Sequence, residues 1–123
     1  MTAHTETAVV GIDIGTSSSK GVLVSSGGEI LARSSRRHDT DTPHPGWVEH
    51  DAETVWWNDF RDIAAELSGR AGRHRVIGVG VSGIGPVLLP ADGAGRPLRP
   101  AILYGVDTRA TVEIAELTDE LGA

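Results

Sequence analysis

The sequence has no cysteine among its 123 residues, which excludes a disulfide framework, a thiolate nucleophile and a cysteine-ligated zinc. That suits a reducing compartment, and a cytoplasmic location is the expectation. Positive charge is also scarce: 17 acidic residues against 11 basic ones give a formal net charge of −6. The nearest candidate for a basic stripe, Arg70, Arg73 and Arg75, is a short loop run, which makes nucleic acid an unexpected partner. No apolar run approaches the roughly 20 residues of a membrane span, and the opening MTAHTET lacks the basic region of an export signal. Repeats, low-complexity tracts and linkers are missing too. The length suits one domain of about 100–200 residues, and residues 1–8 read as a flexible leader.

What is present reads as strands first and helices later. Val9–Ile14 is short, apolar and β-branched, the pattern of a buried strand. Ser19–Val24 and Glu29–Ser35 come next, separated by the Ser/Gly turn at residues 25–28, and complete a meander of three strands. Residues 36–50 are polar and contain proline, which predicts an ordered loop without a regular element. Asp51 then reads as an N-cap. Trp56, Phe60, Ile63, Ala64 and Leu67 share one face of the helix it starts. Beyond the loop at 68–75 come a buried strand over Val76–Ser82, a further one at Val87–Leu89, a turn at Ala91–Gly95 and a short strand at Ala101–Leu103. A second amphipathic helix spans Ala110–Leu121 and is stopped by Gly122. This order implies an α/β layer structure.

Asp13 does not fit a buried strand, because an unpaired buried carboxylate is costly. The adjoining GTSSS leads into KGVLV, which continues as a strand, so the glycine and hydroxyls sit in a hairpin turn and not at the start of a helix as in a Walker loop. Successive backbone N–H groups and the hydroxyls of Thr16, Ser17 and Ser18 can still cradle phosphate there. A carboxylate beside polyphosphate can hold Mg²⁺, directly or through water. Alternatively, Asp13 caps the turn by accepting hydrogen bonds from Thr16 or Ser17. The residues alone leave both readings open. A second glycine pattern, Gly78, Gly80 and Gly83, matches G-x-G-x-x-G only formally, since it leads to Gly85 and Pro86 and not into a helix. These glycines serve close packing or ligand approach.

Four stretches, GIDIGTSSSKGVLV, PHPGWVEHDAETVWW, IGVGVSGIGPVLLPADGAGRPLRPAILY and DTRA, together resemble in order and spacing the amino-terminal part of the FGGY family of carbohydrate kinases, across Val9–Leu121. The resemblance implies the actin-like, ribonuclease-H-like ATPase fold, an α/β architecture of mixed sheet and helices in two domains. Residues 9–123 would form the amino-terminal part of the first domain, with the second absent. It implies ATP and Mg²⁺ as cofactors and a small-molecule sugar or polyol as the partner that meets ATP in a cleft. By resemblance, Asp13 belongs to the Mg²⁺ site, and Gly15, Thr16, Ser17, Ser18 and Lys20 bind phosphate. A lone lysine on a strand is ordinarily just solvated, but a cation aimed at the γ-phosphate would stabilise charge during transfer. Substrate-side candidates are Gly85, Tyr104, Asp107 and Arg109.

For Asp107 the competing reading is an N-cap for a helix beginning near Thr108, with Arg109 as its pairing partner. Trp47, Glu49, His50 and Asp51 read as architectural, Trp47 anchoring the loop. The family's general base lies downstream of the matched region, so no catalytic residue is assigned within this chain and the fragment alone is expected to be inactive. Apolar surface at its cut edge would favour self-association, a homodimer in the simplest case.

The substrate is less sharply indicated. Glycerol kinases usually have Gln where Ile14 stands, and an Arg-Glu pair where this chain has Gly85 and Pro86. Pentulose kinases often place Met-His at the latter positions, after a Gln that Ile84 replaces here. The family's Trp-x-Asp becomes Tyr104 with two residues before Asp107. A pentulose, a sugar acid or a polyol remains. Two other classes share parts of the pattern: an ATPase or activator of the same fold without a sugar substrate, whose iron–sulfur forms need cysteines, and a non-catalytic binding domain.

Overall fold

In the computed structural model, residues 6–122 are described. Residues 1–5 of the expected leader lie outside them, and Thr7 and Ala8 already belong to the first strand. The chain divides into two compact units, one holding the residues through Asp39 together with Ala52–Ile84, the other Thr40–Asp51 together with the residues from Gly85 onward.

The first unit is a four-stranded sheet under one helix. Strands β1 (Thr7–Ile14), β2 (Ser18–Ser25) and β3 (Ile30–Arg37) form the expected antiparallel meander. Strand β5 (Arg75–Gly83) lies parallel to β1, giving the order β3-β2-β1-β5. Between β3 and β5 the chain winds a π-helical turn, Ala52–Trp57, and then helix α1, Asn58–Gly69. The helical run thus starts directly after Asp51.

Strand alternation decides which face α1 covers. Ala8, Val10 and Ile12 of β1, Leu23 of β2 and Ala32 of β3 are buried with Ile63, Leu67 and Ala71, while Phe60 and Ala64 pack at the margin. Gly21 is required in the middle of β2 by close approach. A Cβ there would stand 2.4 Å from the Ile63 side chain and 2.9 Å from that of Leu67.

Two expectations need correcting. The first strand is buried on one face only: Val9 is 44% exposed, and Asp13 lies on the same open side. Asp13 therefore bears no burial cost, because a strand sends successive side chains to opposite faces. Strand β5 has no fully buried residue: Val76 alone packs part-buried against the core, while Ile77, Val79 and Val81 are each about half exposed or more. The reason is position: β5 is an edge strand, paired with β1 alone among the described residues.

The second unit is built around a small antiparallel sheet in the order β4-β7-β6. Strand β4 (Glu49–His50) lies within the stretch expected to be loop, and pairs with β7 (Ala101–Leu103), which also pairs with β6 (Val87–Leu88). In the Ala91–Gly95 turn, the Asp92 carboxylate accepts the N–H groups of Ala94 and Arg96, both at 2.9 Å. Helix α2 spans Thr111–Leu121 and ends at Gly122, whose N–H reaches the Thr118 carbonyl at 2.9 Å. No α2 residue is buried.

Candidate functional site

The phosphate-side candidates gather at one end of β1 and β2. In the ladder, Asp13 pairs with Lys20 on one side and Ser82 on the other, so these three side chains form a row across the open face. The Ser82 hydroxyl donates to Asp13 Oδ1 at 2.7 Å. Ser82 thus stands where the alternative reading of Asp13 had a turn cap from Thr16 or Ser17. Lys20 is exposed and makes no ion pair among the described residues; it is also the only lysine in the sequence. Beside the row, Gly11 and Gly80 sit opposite each other and leave the sheet bare, flooring a hollow of ≈ 480 Å³ that Asp13, Lys20 and Ser82 border. Nothing lies within 4 Å of where a Gly80 Cβ would be, so this glycine keeps space open and does not pack against a neighbour.

The turn itself is tight. Gly15 N–H donates to the Ser18 carbonyl at 3.0 Å, and a Cβ on Gly15 would meet that same oxygen at 2.8 Å. Thr16 and Ser17 are exposed, and their amide and hydroxyl groups donate to no protein acceptor among the described residues. These donors are available to an anion from solvent.

As for a metal, no group of three or more His, Asp or Glu side chains able to hold one occurs among the described residues. A single open carboxylate fits an ion that keeps waters and shares phosphate oxygens, which is how Mg²⁺ is usually held.

The substrate-side candidates lie in the second unit, and two of them are committed to each other. Asp107 does not cap a helix: α2 starts at Thr111, and no side chain caps it. Instead Asp107 Oδ2 accepts the Val48 N–H at 2.7 Å, and Oδ1 accepts the Arg109 N–H at 3.0 Å. The Arg109 guanidinium clasps the same carboxylate, with Nη2 at 2.7 Å from Oδ2. That guanidinium holds the Asp107 carboxyl well below the usual carboxylate range, against burial, which acts in the opposite sense. The Asp107 side chain is only 4% exposed.

Arg109 also reaches Glu49 at 2.8 Å and lies 3.9 Å from the centre of the Trp47 ring. Its pKa is raised, chiefly by Asp107 and further by Glu49. Glu49, 5% exposed, takes Arg99 as well. The PGWVEHD loop is thus held through Trp47, Val48 and Glu49, and Asp107 has the geometry of a loop-holding group. Arg109 Nη1 is buried with no partner.

Tyr104 is 69% exposed and, with Pro86, Val87, Ile102 and Ile114, lines a largely apolar cavity of ≈ 540 Å³ to which Asp107 and Arg109 also contribute. Gly85 is exposed and is not part of that lining.

The sequence reading did not single out Ser82, and it took Glu49 as architectural without the arginines that it gathers. The signal for Ser82 was its place on a strand parallel to β1, visible only once the register is known. Glu49 meets Arg99 and Arg109 from 50 and 60 residues away, a pairing that no local pattern carries.

A mixed sheet whose first hairpin turn stands where other nucleotide-binding folds have a loop-to-helix junction is the architecture of the actin-like ATPases, of which this chain holds part of one domain. Comparison with known proteins gives the family. Residues 8–123 match the FGGY family of carbohydrate kinases, N-terminal domain, and the chain belongs to that family. It is 33% identical over 118 residues to a glycerol kinase of Beutenbergia cavernae, which covers 94% of this chain and 23% of that protein. It is 34% identical over 118 residues to a xylulose kinase of Lactococcus lactis, again covering 94% and 23%. Among solved structures, a xylulose kinase from Rhodospirillum rubrum superposes with a TM-score of 0.85 at 38% identity, covering 94% of this chain and 24% of that one. The chain spans about a quarter of the length of the relatives it matches. Among the described residues no helix is long and apolar enough to cross a membrane.

Proposed function

We propose that the chain supplies the phosphate-handling hairpin of an ATP-dependent kinase acting on a sugar or polyol hydroxyl, within a polypeptide of the length of its relatives. The observation that carries the reading is the Lys20–Asp13–Ser82 row, next to a turn whose Thr16 and Ser17 donors meet no acceptor among the described residues. In this reading the substrate hydroxyl oxygen bonds to the γ-phosphorus of ATP as the bond to the β-phosphate bridging oxygen breaks, and ADP leaves. The hydroxyl proton passes to a carboxylate expected downstream of these 123 residues.

Lys20 and the turn N–H groups oppose the charge that gathers on the phosphate oxygens. Asp13 would hold Mg²⁺, which when bound neutralises phosphate charge; Ser82 fixes the carboxylate by occupying one oxygen and leaving the other open. Asp107 and Arg109 act one step away from substrate, by holding the Trp47–Val48 loop. Both glycerol and xylulose kinases stand among the relatives, which supports a polyol or pentulose over a bulkier acceptor.

The test is Asp13→Asn in the longer polypeptide. Turnover should fall at least about a hundredfold with the melting temperature unchanged, since shape is kept and charge is lost. Near-normal turnover accompanied by a lower melting temperature would overturn the assignment. The 123-residue chain alone should show no sugar-dependent release of ADP.

A further inference from the structure

His38, the residue after β3, touches the phosphate-side turn twice. Its backbone N–H donates to the Ser17 carbonyl at 3.1 Å, and its ring Nε2 lies 2.9 Å from the Gly15 carbonyl oxygen. On the other side of the ring, Nδ1 lies 2.8 Å from Asp59 Oδ2, on the first turn of α1. The ring is 7% exposed and the Asp59 side chain 14%, so water competes poorly for either contact. The Gly15 carbonyl oxygen can only accept, so the hydrogen of that contact is carried by Nε2.

The consequence comes from peptide geometry. In a trans peptide the C=O of one residue and the N–H of the next point in opposite directions from one rigid plane. Tethering the Gly15 carbonyl to His38 therefore turns the Thr16 N–H away from His38, toward the open side of the turn where it meets no acceptor among the described residues. Glycine at 15 would otherwise let this peptide rotate with little steric resistance. A rotated peptide would present a carbonyl oxygen, and so repulsion, to any anion at the turn.

We infer that His38, braced by Asp59, is a positioning residue that locks the Gly15–Thr16 peptide in its anion-receiving orientation. The benefit to phosphate rests on the function proposed above; the lock itself does not. No local motif marks His38, because it stands 23 residues from Gly15 and 21 from Asp59.

The test uses the isotope-labelled 123-residue protein, with two measurements on each variant: hydrogen exchange of the Gly15 amide, and titration with Mg-ATP followed at the Thr16 amide resonance. His38→Ala should raise Gly15 exchange and weaken Mg-ATP binding by about tenfold each, the worth of one ordinary hydrogen bond. His38→Gln, which keeps a donor of similar reach, should recover most of both. His38→Phe keeps the ring volume without either nitrogen and should behave like His38→Ala, which separates the lock from simple packing.

Gly15 exchange and Mg-ATP affinity within about twofold of wild type in folded His38→Ala or His38→Phe would overturn the inference. If the wild type shows no response to Mg-ATP while Gly15 exchange still rises in the variants, the lock stands and the phosphate reading fails.

Discussion

In the first unit the large side chains of the buried core are apolar, Ile63, Leu67, Leu23, Val10 and Ile12, with the small hydroxyl residues Ser19 and Ser34 also buried, whereas in the second unit the side chains of Glu49 and Asp107 are nearly as buried and are surrounded by arginine. The first unit is held by removal of apolar surface from water, worth about 1.5–3 kcal/mol for each fully buried Leu or Ile. The second has a short sheet and buries few of its apolar residues, and relies on a charge network in which Glu49 joins Arg99 to Arg109, and Arg109 joins Trp47 to Asp107. Apolar burial tolerates any pH at which the chain stays folded. An ion network does not, because protonating one carboxylate leaves a buried guanidinium short of a partner.

The sharpest way to break this contrast is Leu67→Ala. Leu67 is fully buried between α1 and the sheet, so the truncation leaves a cavity and should cost about 3–4 kcal/mol. Urea unfolding at neutral pH measures it. A loss below about 1 kcal/mol would mean that the apolar core does not dominate the first unit.

Next in size comes Asp107→Asn, expected to cost about 2 kcal/mol at neutral pH. The amide can still accept the Val48 N–H, and Arg109 keeps Glu49, but the charge-assisted clasp is gone. Here the pH dependence carries the information. A carboxyl depressed in the folded state stabilises fully above its unfolded value of about 4, and that contribution disappears as pH falls from there toward the folded value. Wild type should therefore lose more stability than Asp107→Asn between neutral pH and about pH 3, and the gap between the two should narrow. A gap that stays constant down to that pH would show that the Asp107 charge adds nothing.

The contrast also explains what was legible in the sequence. The meander, α1 and the face of α1 that is buried come from periodicity, because apolar burial prints itself at spacings of two and of three or four. Ile63 and Leu67 were readable in that way. Gly15 and the hydroxyls after it were readable as a turn, since KGVLV continues as a strand. Asp13 was misplaced into a buried strand because a run of Val and Ile does not reveal that one face of the sheet is left open. The pairing of Asp107 with Arg109, two residues on, was readable as the competing role for that carboxylate, but the contacts of Glu49 with Arg99 and Arg109 and the His38 contact were not. Each joins segments that fold topology brings together, and a charged residue looks the same in sequence whether it caps a helix, binds a sugar or holds a loop.

The smallest expected effect is the one that tests the two helices against each other. α2 has the same kind of apolar spacing as α1, through Val112, Ile114, Leu117 and Leu121, yet these side chains are 55–80% exposed where Ile63 and Leu67 are not exposed at all. Periodicity reports that a helix is suited to burial, not that a partner is at hand. Leu117→Ala in the 123-residue chain should therefore change stability by less than about 0.5 kcal/mol, a small fraction of the Leu67→Ala effect, and alanine's better helix propensity works against even that loss. The same substitution in a polypeptide of the relatives' length should cost about 2 kcal/mol or more if further chain packs on that face. Urea midpoints for both variants in both lengths decide the matter. An equal, small effect of Leu117→Ala in the two lengths would show that the apolar face of α2 stays open to water, and a large effect already in the short chain would point to self-association through that face, which would make the unfolding midpoint depend on protein concentration.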